Sequence, residues 1–290
     1  MLPISRILVP VDFSERCLGM MPYVKLMAAK YGAEVTLLHV VNPFYAIPAM
    51  GLSGPAMIPV PQSVFEGTGK QLDEFAAAEL QGIKVRRFVY EGDPVGQIVA
   101  FAQAEDIHLI AMPTHGYGAL RRFLIGSVTS KVLHDLSCPV LTGLHMEGQP
   151  AGGAAGFSNI LCAVDLKPQS QQTLAWAFQL ATDFHANLGI VHALTPLQPG
   201  VTPFLSQDFK MELEEMSRKA VGKLQSAVGA ESAGVYTEQG EAVETVCSFA
   251  KSIGADLLVI GRGPEDGLAG KLTTNAYAII RQSPCPVISV

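Results

Sequence analysis

Short apolar strings alternate with apolar stripes at helical spacing along the whole chain. The strings at 7–11, 35–41, 109–112 and 140–142 lack polar alternation, which is typical of parallel strands buried on both faces. Between strings of the second half, apolar residues recur three and four positions apart, as expected of helices. These stripes are Leu174, Ala177, Phe178, Ala181 and Phe184; Phe209, Leu213, Met216, Ala220 and Leu224; and Val243, Val246, Cys247 and Ala250. The pattern predicts an α/β fold with doubly wound parallel sheets, either Rossmann-like or flavodoxin-like.

The order of landmarks occurs twice. The opening segment from Ser5 to Ser14 matches the segment from Ser158 to Lys167, with Ser, Ile, Leu, Val and Asp in register. The later landmarks recur in the same order, so the sequence predicts two homologous domains in tandem. They are His39 and His192, Gly92 and Gly240, the strings beginning at His108 and Asp256, and the sequence Cys-Pro-Val from Cys138 and from Cys285.

A stretch rich in glycine, alanine and proline separates the two copies. It covers residues 146–156, and its composition is that of a linker rather than a packed element. We therefore predict a first domain at 1–145 and a second at 157–290. A chain of 290 residues is also longer than the roughly 250 residues at which single cores stop growing.

Composition and charge narrow the classes of function. Apolar residues make up 49% of the chain and charged residues 16%, which predicts a sizeable core. The net charge of −6 comes without a basic stripe, so no nucleic-acid partner is expected. No apolar run reaches the roughly 18 residues of a membrane helix, and the start has no export-signal pattern. Five widely spaced cysteines indicate reduced thiols of a cytoplasmic protein.

Unusual residues follow several strands of the first copy. Asp12 ends the first strand, Val40 the second and Pro113 the fourth, and Gly126-Ser127 opens the last helix. Ligands of open parallel sheets bind beyond the carboxyl ends of the strands, and the backbone N–H groups of a helix start favour phosphate. The carboxylate of Asp12 could bind an adenine amino group or a ribose hydroxyl.

These residues resemble the universal stress protein family. Its opening strand ends in Val-Asp, often followed by x-Ser, as in Val11 to Ser14, and its ATP loop is G-x2-G-x9-G-[S/T]. Gly116, nine further residues and Gly126-Ser127 match the last three anchors of that loop. The similarity covers nearly the whole chain twice and implies adenine nucleotide alpha hydrolase-like domains that bind ATP, with AMP and ADP as alternatives and Mg²⁺ left open.

The resemblance also implies roles for individual residues of the first copy. Asp12 and Val40 would contact adenine or ribose, while Gly116, Gly126 and Ser127 would line the phosphates. Pro113 departs from the family, because it stands at the first glycine and has no N–H. Three loop residues keep two interpretations each: His115 is a turn residue or a phosphate contact, and Arg121 and Arg122 serve the phosphates or form a solvated or dimer surface.

The second copy departs further. Its loop keeps Gly261 and the hydroxyl of Thr274, but Pro264 and Thr273 replace the next two glycines, and the loop is one residue shorter. Asp165 stands where the first copy has Asp12. We expect weaker or altered nucleotide binding in this copy.

Purely structural roles also remain open for several of these residues. Asp12 and Asp165 could cap the helices that follow, and His39 and His192 are predicted to be hydrogen-bonded core histidines. Ser14 is predicted to cap the first helix, and Pro22 to kink or delay it. The segment 42–62 is either a lid or an ordinary surface excursion.

Three functions stay open. The first is a nucleotide-binding stress or regulatory module; the second is a slow ATPase; the third is a nucleotide-free scaffold. No Walker loop is present, since Gly67 to Lys70 fails its spacing. The family's habit of pairing last strands implies an internal pseudo-dimer through 139–142 and 286–290, and a homodimer is also open.

Overall fold

The computed structural model describes residues 4–42, 60–114, 125–143, 156–194, 207–263 and 273–290. The chain divides into two compact units, a first unit at 2–140 and a second at 141–290. Of the predicted linker, only Gly156 lies within the described residues, and the segment 42–62 is described only at its ends. Among the described residues, no helix combines the length and apolar character needed to cross a membrane.

The strands of the first copy have the Rossmann order. Its strands are β1 (Arg6–Pro10), β2 (Glu34–Val41), β3 (Val85–Glu91), β4 (Leu109–Ala111) and β5 (Val140–Thr142), in the order β3-β2-β1-β4-β5. The pairs β1–β2, β1–β4 and β2–β3 are parallel. The chain runs from β1 to β2 and β3 on one side and then crosses to β4 and β5 on the other side. The topological switch point, where the connections diverge, therefore lies between β1 and β4. Of the two predicted architectures, the Rossmann-like one is confirmed.

The described helices of the first unit connect its strands. They are α1 (Glu15–Gly19), α2 (Met21–Tyr31), α3 (Gln62–Glu74), α4 (Pro94–Ala104) and α5 (Ser127–Asp135). Ser14 caps α1, because its Oγ accepts the N–H of Cys17 at 3.1 Å. Pro22 stands in the first turn of α2, and the helix breaks at Met20. A proline is tolerated in a first turn but not in a helix interior, so the predicted interruption is confirmed.

The strands of the second copy repeat this order. Its strands are β6 (Asn159–Ala163), β7 (Asn187–Leu194), β8 (Gly234–Gln239), β9 (Leu257–Ile260) and β10 (Val287–Ser289), in the order β8-β7-β6-β9-β10. Ile160 pairs with Leu188 and Leu257, as Ile7 pairs with Val35 and Leu109. The register therefore confirms the repeat seen in the sequence.

The helices of the second unit are α6 (Ser170–Phe184), α7 (Gln207–Val228), α8 (Ala242–Ser252) and α9 (Thr274–Gln282). All three apolar stripes predicted in this half lie on helices. In α7, however, the inward face holds Val221 and Gln225, while Phe209 is 40% and Met216 61% exposed. The Gln225 Nε2 donates to the carbonyls of Ala230 at 3.0 Å and Ala233 at 2.9 Å, so the buried face carries a polar side chain whose donors are used.

Candidate functional site

Asp12 lies just beyond the carboxyl end of β1 and organises the turn into α1. Its Oδ1 accepts the N–H of Ser14 at 2.9 Å and the Ser14 hydroxyl at 2.7 Å. Phe13 between them has a φ of +61°, in the left-handed region that bulky residues rarely adopt. Asp12 therefore supports the cap of α1 through Ser14 rather than capping the helix itself. The hydrogen bonds described for Asp12 both use Oδ1.

The two strand histidines are held by backbone carbonyls. His39 Nδ1–H donates to the Val11 carbonyl at 2.7 Å, and His192 Nδ1–H donates to the Val164 carbonyl at 2.9 Å. Burial lowers the pKa of His39, although the Val11 carbonyl and Asp12 act in the other direction. The Phe13 ring lies 4.6 Å from the His39 ring, centroid to centroid. Hydrogen-bonded histidines were predicted at both positions, and these bonds confirm that prediction.

The N-terminus of α5 is tied to the end of β4. The Gly126 N–H donates to the Thr114 carbonyl at 2.7 Å, and the Thr129 hydroxyl donates to the Pro113 carbonyl at 3.0 Å. Gly126 is the N-cap of α5 and supplies no side-chain bond to the first turn. The first N–H groups of a helix have no intrahelical acceptor, so a glycine cap leaves them available to an external anion. Ser127 opens this turn, as predicted.

Some of the site residues predicted in the first unit lie at one edge of the sheet, and the others fall outside the described residues. Asp12, Val40 and Pro113 stand at or just beyond the carboxyl ends of neighbouring parallel strands, and Gly126 and Ser127 join them through the bonds to β4. The remaining predicted residues lie outside the described residues: His115, Gly116, Arg121 and Arg122.

Asp165 has the position of Asp12 but a different set of partners. Its Oδ1 accepts the Lys167 N–H at 3.1 Å and the Ser170 hydroxyl at 2.9 Å. Its Oδ2 is 3.0 Å from the Lys167 Nζ. Burial of the carboxyl raises its pKa, but the bonds from Lys167 and Ser170 outweigh burial and hold the pKa of Asp165 below its ordinary value. Both carboxylate oxygens are thus engaged within the protein.

A cavity of about 280 Å³ opens beyond the carboxyl ends of β6 and β9 in the second unit. Asp165 and Gly261 line it, so two predicted residues of the second copy face one space. A Cβ at Gly261 would stand 2.8 Å from the Thr173 Oγ1, which is closer than side chains approach. The glycine therefore lets α6 pack tightly against the end of β9.

Thr274 is the first residue of α9, and Thr273 is its N-cap. The Thr273 Oγ1 accepts the Ala276 N–H at 3.2 Å. Gly126, the corresponding residue of the first unit, has no side chain for this bond. Leu109 and Leu257 are equivalent residues of β4 and β9, and α9 begins one residue sooner after Leu257 than α5 begins after Leu109, so the second loop is one residue shorter, as predicted. The loop from Pro264 to Leu272 lies outside the described residues.

The polar lining residues that the sequence analysis did not consider include Lys167, Gln169, Ser170, Thr173 and Asn275. A signal existed for Lys167, which stands two residues after Asp165 where the first copy has Ser14. Ser170 and Thr173 gave no such signal, because small polar residues are common in the first turn of a helix for capping reasons alone. Within the described ranges, no group of three or more His, Cys, Asp and Glu side chains is arranged to hold a metal.

Comparisons with known proteins match both halves of the chain. The model of the universal stress protein family matches residues 3–142 and 156–290. Universal stress protein MJ0531 of Methanocaldococcus jannaschii is 32% identical over 142 residues, covering 47% of this chain and 80% of its own length. Universal stress protein Rv2005c of Mycobacterium tuberculosis is 27% identical over 278 residues, covering 90% of this chain and 88% of its own.

A solved structure shares the fold over nearly the full length. The crystal structure of a universal stress protein from Archaeoglobus fulgidus matches with a TM-score of 0.67 and 23% identity. The match covers 98% of this chain and 95% of that one. Because the family model matches both copies, the chain belongs to the universal stress protein family.

Proposed function

We propose that the first unit binds an adenine nucleotide, ATP foremost, and that the protein is a stress or regulatory module that holds the nucleotide rather than turning it over rapidly. One observation carries the proposal: the glycine-capped N-terminus of α5 is tied to the end of β4 at the switch point of a Rossmann-ordered sheet. Such a helix start favours phosphate through its N–H groups and its dipole. Asp12 lies at the end of the neighbouring strand β1.

The described residues fit a nucleotide in distinct roles. The Asp12 Oδ2 accepts from a ribose hydroxyl or the adenine amino group, since Oδ1 is engaged by Ser14. Val40 packs against the base, and the first amides of α5 with the Ser127 hydroxyl bind phosphate. Pro113 has no N–H, and its carbonyl accepts from Thr129, so it positions the loop without contacting phosphate.

The loop residues complete the proposal. Gly116 supplies close backbone approach to the phosphates, His115 and the two arginines Arg121 and Arg122 supply donors and positive charge, and Mg²⁺ accompanies the phosphates. These four residues lie outside the described part of the chain, so their roles rest on the motif spacing alone.

The test replaces Asp12 by Asn. The amide oxygen still accepts the two Ser14 bonds, so the turn is preserved while the negative charge is lost. Calorimetric ATP titration, with and without Mg²⁺, should show affinity lowered about tenfold or more, because a hydrogen bond to a charged group contributes roughly 1.5–3 kcal/mol. Nucleotide released by denaturing the purified protein identifies the bound species.

Asp93→Asn is the matched control. Asp93 also accepts a backbone N–H, that of Gly96 at 2.8 Å, but it caps α4 at the far edge of the sheet. It should leave ATP affinity unchanged. Equal ATP binding by Asp12→Asn and the unaltered protein would overturn the assignment, and an absence of any bound or titratable nucleotide would favour the scaffold.

A kinetic experiment distinguishes the slow ATPase from a module that only holds the nucleotide. In a single-turnover experiment with protein in excess, a holding module retains ATP over many minutes, whereas an ATPase yields ADP. Loss of bound ATP at a rate that Asp12→Asn abolishes would establish the enzymatic alternative.

A further inference from the structure

We propose that His39 and Phe13 are positioning residues, which hold the Asp12 carboxylate in place for the base or ribose of a nucleotide. The proposal rests on the nucleotide-binding function of the first unit. Neither side chain has to contact the nucleotide, because both act on the backbone on either side of Asp12. Their effect on binding therefore passes through the carboxylate.

The backbone before Asp12 is fixed by β2. The Val11 N–H donates to the Leu38 carbonyl at 2.8 Å, and the Val11 carbonyl accepts from the His39 Nδ1–H at 2.7 Å. Leu38 and His39 are consecutive residues of that strand. The planar peptide group that leads from Val11 into Asp12 therefore cannot rotate without breaking the bond to His39.

The backbone after Asp12 is held by the Phe13 ring. This ring lies against the His39 ring with centroids 4.6 Å apart and planes tilted by 38°. The Phe75 ring, at the end of α3, meets Phe13 edge-on with centroids 5.6 Å apart and planes at 86°. Both separations lie in the range at which aromatic pairs are favourable. A single imidazole thus holds the residue before Asp12 by a hydrogen bond and the residue after it by ring contact.

The turn at Phe13 needs such support. Its φ of +61° is in the left-handed region, which costs free energy for a bulky residue and persists only where the surrounding structure determines it. The same turn brings the Ser14 N–H and hydroxyl to the Asp12 Oδ1, at 2.9 and 2.7 Å. Without the ring contacts the turn relaxes toward commoner backbone angles, and the Asp12 carboxylate moves with it.

The second copy has the same turn without a phenylalanine. Leu166 stands where the first copy has Phe13, and its φ is +60°. The His192 Nδ1–H donates to the carbonyl just before Asp165 at 2.9 Å, but a leucine has no ring to stack on the histidine. There, Asp165 is held by Lys167 at 3.0 Å. Because leucine adopts this turn, Phe13→Leu should preserve the fold while removing the ring.

Calorimetric titration of the full-length protein with ATP tests the proposal. Phe13→Leu should weaken ATP binding about twofold to tenfold through the loss of one aromatic pair, and Phe13→Tyr, which keeps the ring, should stay within about twofold of the parent. In the Asp12→Asn background, Phe13→Leu should change the affinity less than about twofold, because its effect passes through the carboxylate. A general defect in the unit would instead lower the affinity in both backgrounds.

His39→Asn keeps a donor for the Val11 carbonyl but removes the ring. It should weaken ATP binding as Phe13→Leu does, and the two changes together should lower the affinity no further, because they remove the same contact. Phe88→Leu is the matched control. It removes a ring pair with Phe101, whose centroids are 5.3 Å apart, between β3 and α4, and it should leave ATP affinity unchanged.

Hydrogen exchange of the nucleotide-free protein provides a second measurement. The protection factor of the Ser14 amide, which is bonded to Asp12, should fall in Phe13→Leu and stay unchanged in Phe13→Tyr and Phe88→Leu. The proposal is wrong if Phe13→Leu leaves this protection unchanged, if it leaves ATP affinity unchanged while Asp12→Asn lowers it, or if it weakens ATP binding equally in the Asp12→Asn background. Failure of the nucleotide-binding function would instead appear as ATP binding that Asp12→Asn does not alter, and the exchange of Ser14 then still decides whether Phe13 holds the turn.

Discussion

Gly261→Ala tests how closely α6 packs on the end of β9. The added Cβ would lie 2.8 Å from the Thr173 Oγ1, so one group must move by about half an ångström. Thr173 is 2% exposed, and its hydroxyl donates to the Gln169 carbonyl at 3.1 Å. Because a β-branched side chain has few rotamers in a helix, Thr173 cannot turn away without losing that bond.

The net cost follows from two opposing effects. Overpacking a buried site costs about 1–3 kcal/mol. Replacing glycine by alanine returns about 0.4–1 kcal/mol by restricting the unfolded chain, where the native backbone tolerates a side chain. Gly261→Ala should therefore lower the free energy of unfolding by roughly 0.5–2 kcal/mol. In a Thr173→Ala background the clash is absent, so the same change should be neutral or stabilising.

Urea unfolding followed by Trp176 fluorescence measures this effect, since that residue is 6% exposed and lies in the second unit. Gly222→Ala is the matched control: it lies within α7 with nothing inside 4 Å of its added Cβ, and it should stabilise by up to about 1 kcal/mol. If Gly261→Ala behaves like Gly222→Ala, or destabilises equally with and without the Thr173 hydroxyl, the packing argument is refuted.

Two further predictions concern stability. Gln225→Met should lower the free energy of unfolding by about 1–3 kcal/mol, because the Ala233 carbonyl loses its bond from Gln225 and the Ala230 carbonyl is left with the Ala233 N–H; urea unfolding followed by tryptophan fluorescence checks this, and an unchanged midpoint would contradict it. His39 has a lowered pKa in the folded protein, so the unfolded chain binds the proton first as pH falls through about 6.5, and stability decreases there. The protection factor of the Val11 amide, which is bonded to the Leu38 carbonyl of β2 at 2.8 Å, should fall at mildly acidic pH in the parent protein, and it should depend less on pH in His39→Gln.

Much of the site was predictable because it depends on chain order. Ser14 and Gly126 mark helix starts, and the residue types at such starts reflect local hydrogen bonding that does not depend on distant segments. The apolar strings and the repeated landmarks likewise predicted parallel strands, and carboxyl ends of parallel strands lie at one edge of a sheet. Asp12 and Asp165 could be assigned to that edge from these facts alone.

Other features depend on which segments become neighbours. The stripe through Phe209 and Met216 predicted a helix, but the buried side of α7 is the one where Gln225 finds two carbonyls. Periodicity predicts which face of a helix is apolar, but it does not predict which face packs against the rest of the protein. For the same reason, the sequence indicated no contact between Thr173 and Gly261, which are separated by most of the second unit.

The sequence by itself determined the duplicated α/β organisation, the helix caps and the residues that end each strand, because these follow from local propensity and order along the chain. Tertiary structure alone decided the strand order, the close approach of Thr173 to Gly261 and the cavity of the second unit. These features require several segments to meet in space. Two copies with the same topology thus differ in chemistry through a few side chains, Ser14 and Gly126 in one and Lys167 and Thr273 in the other.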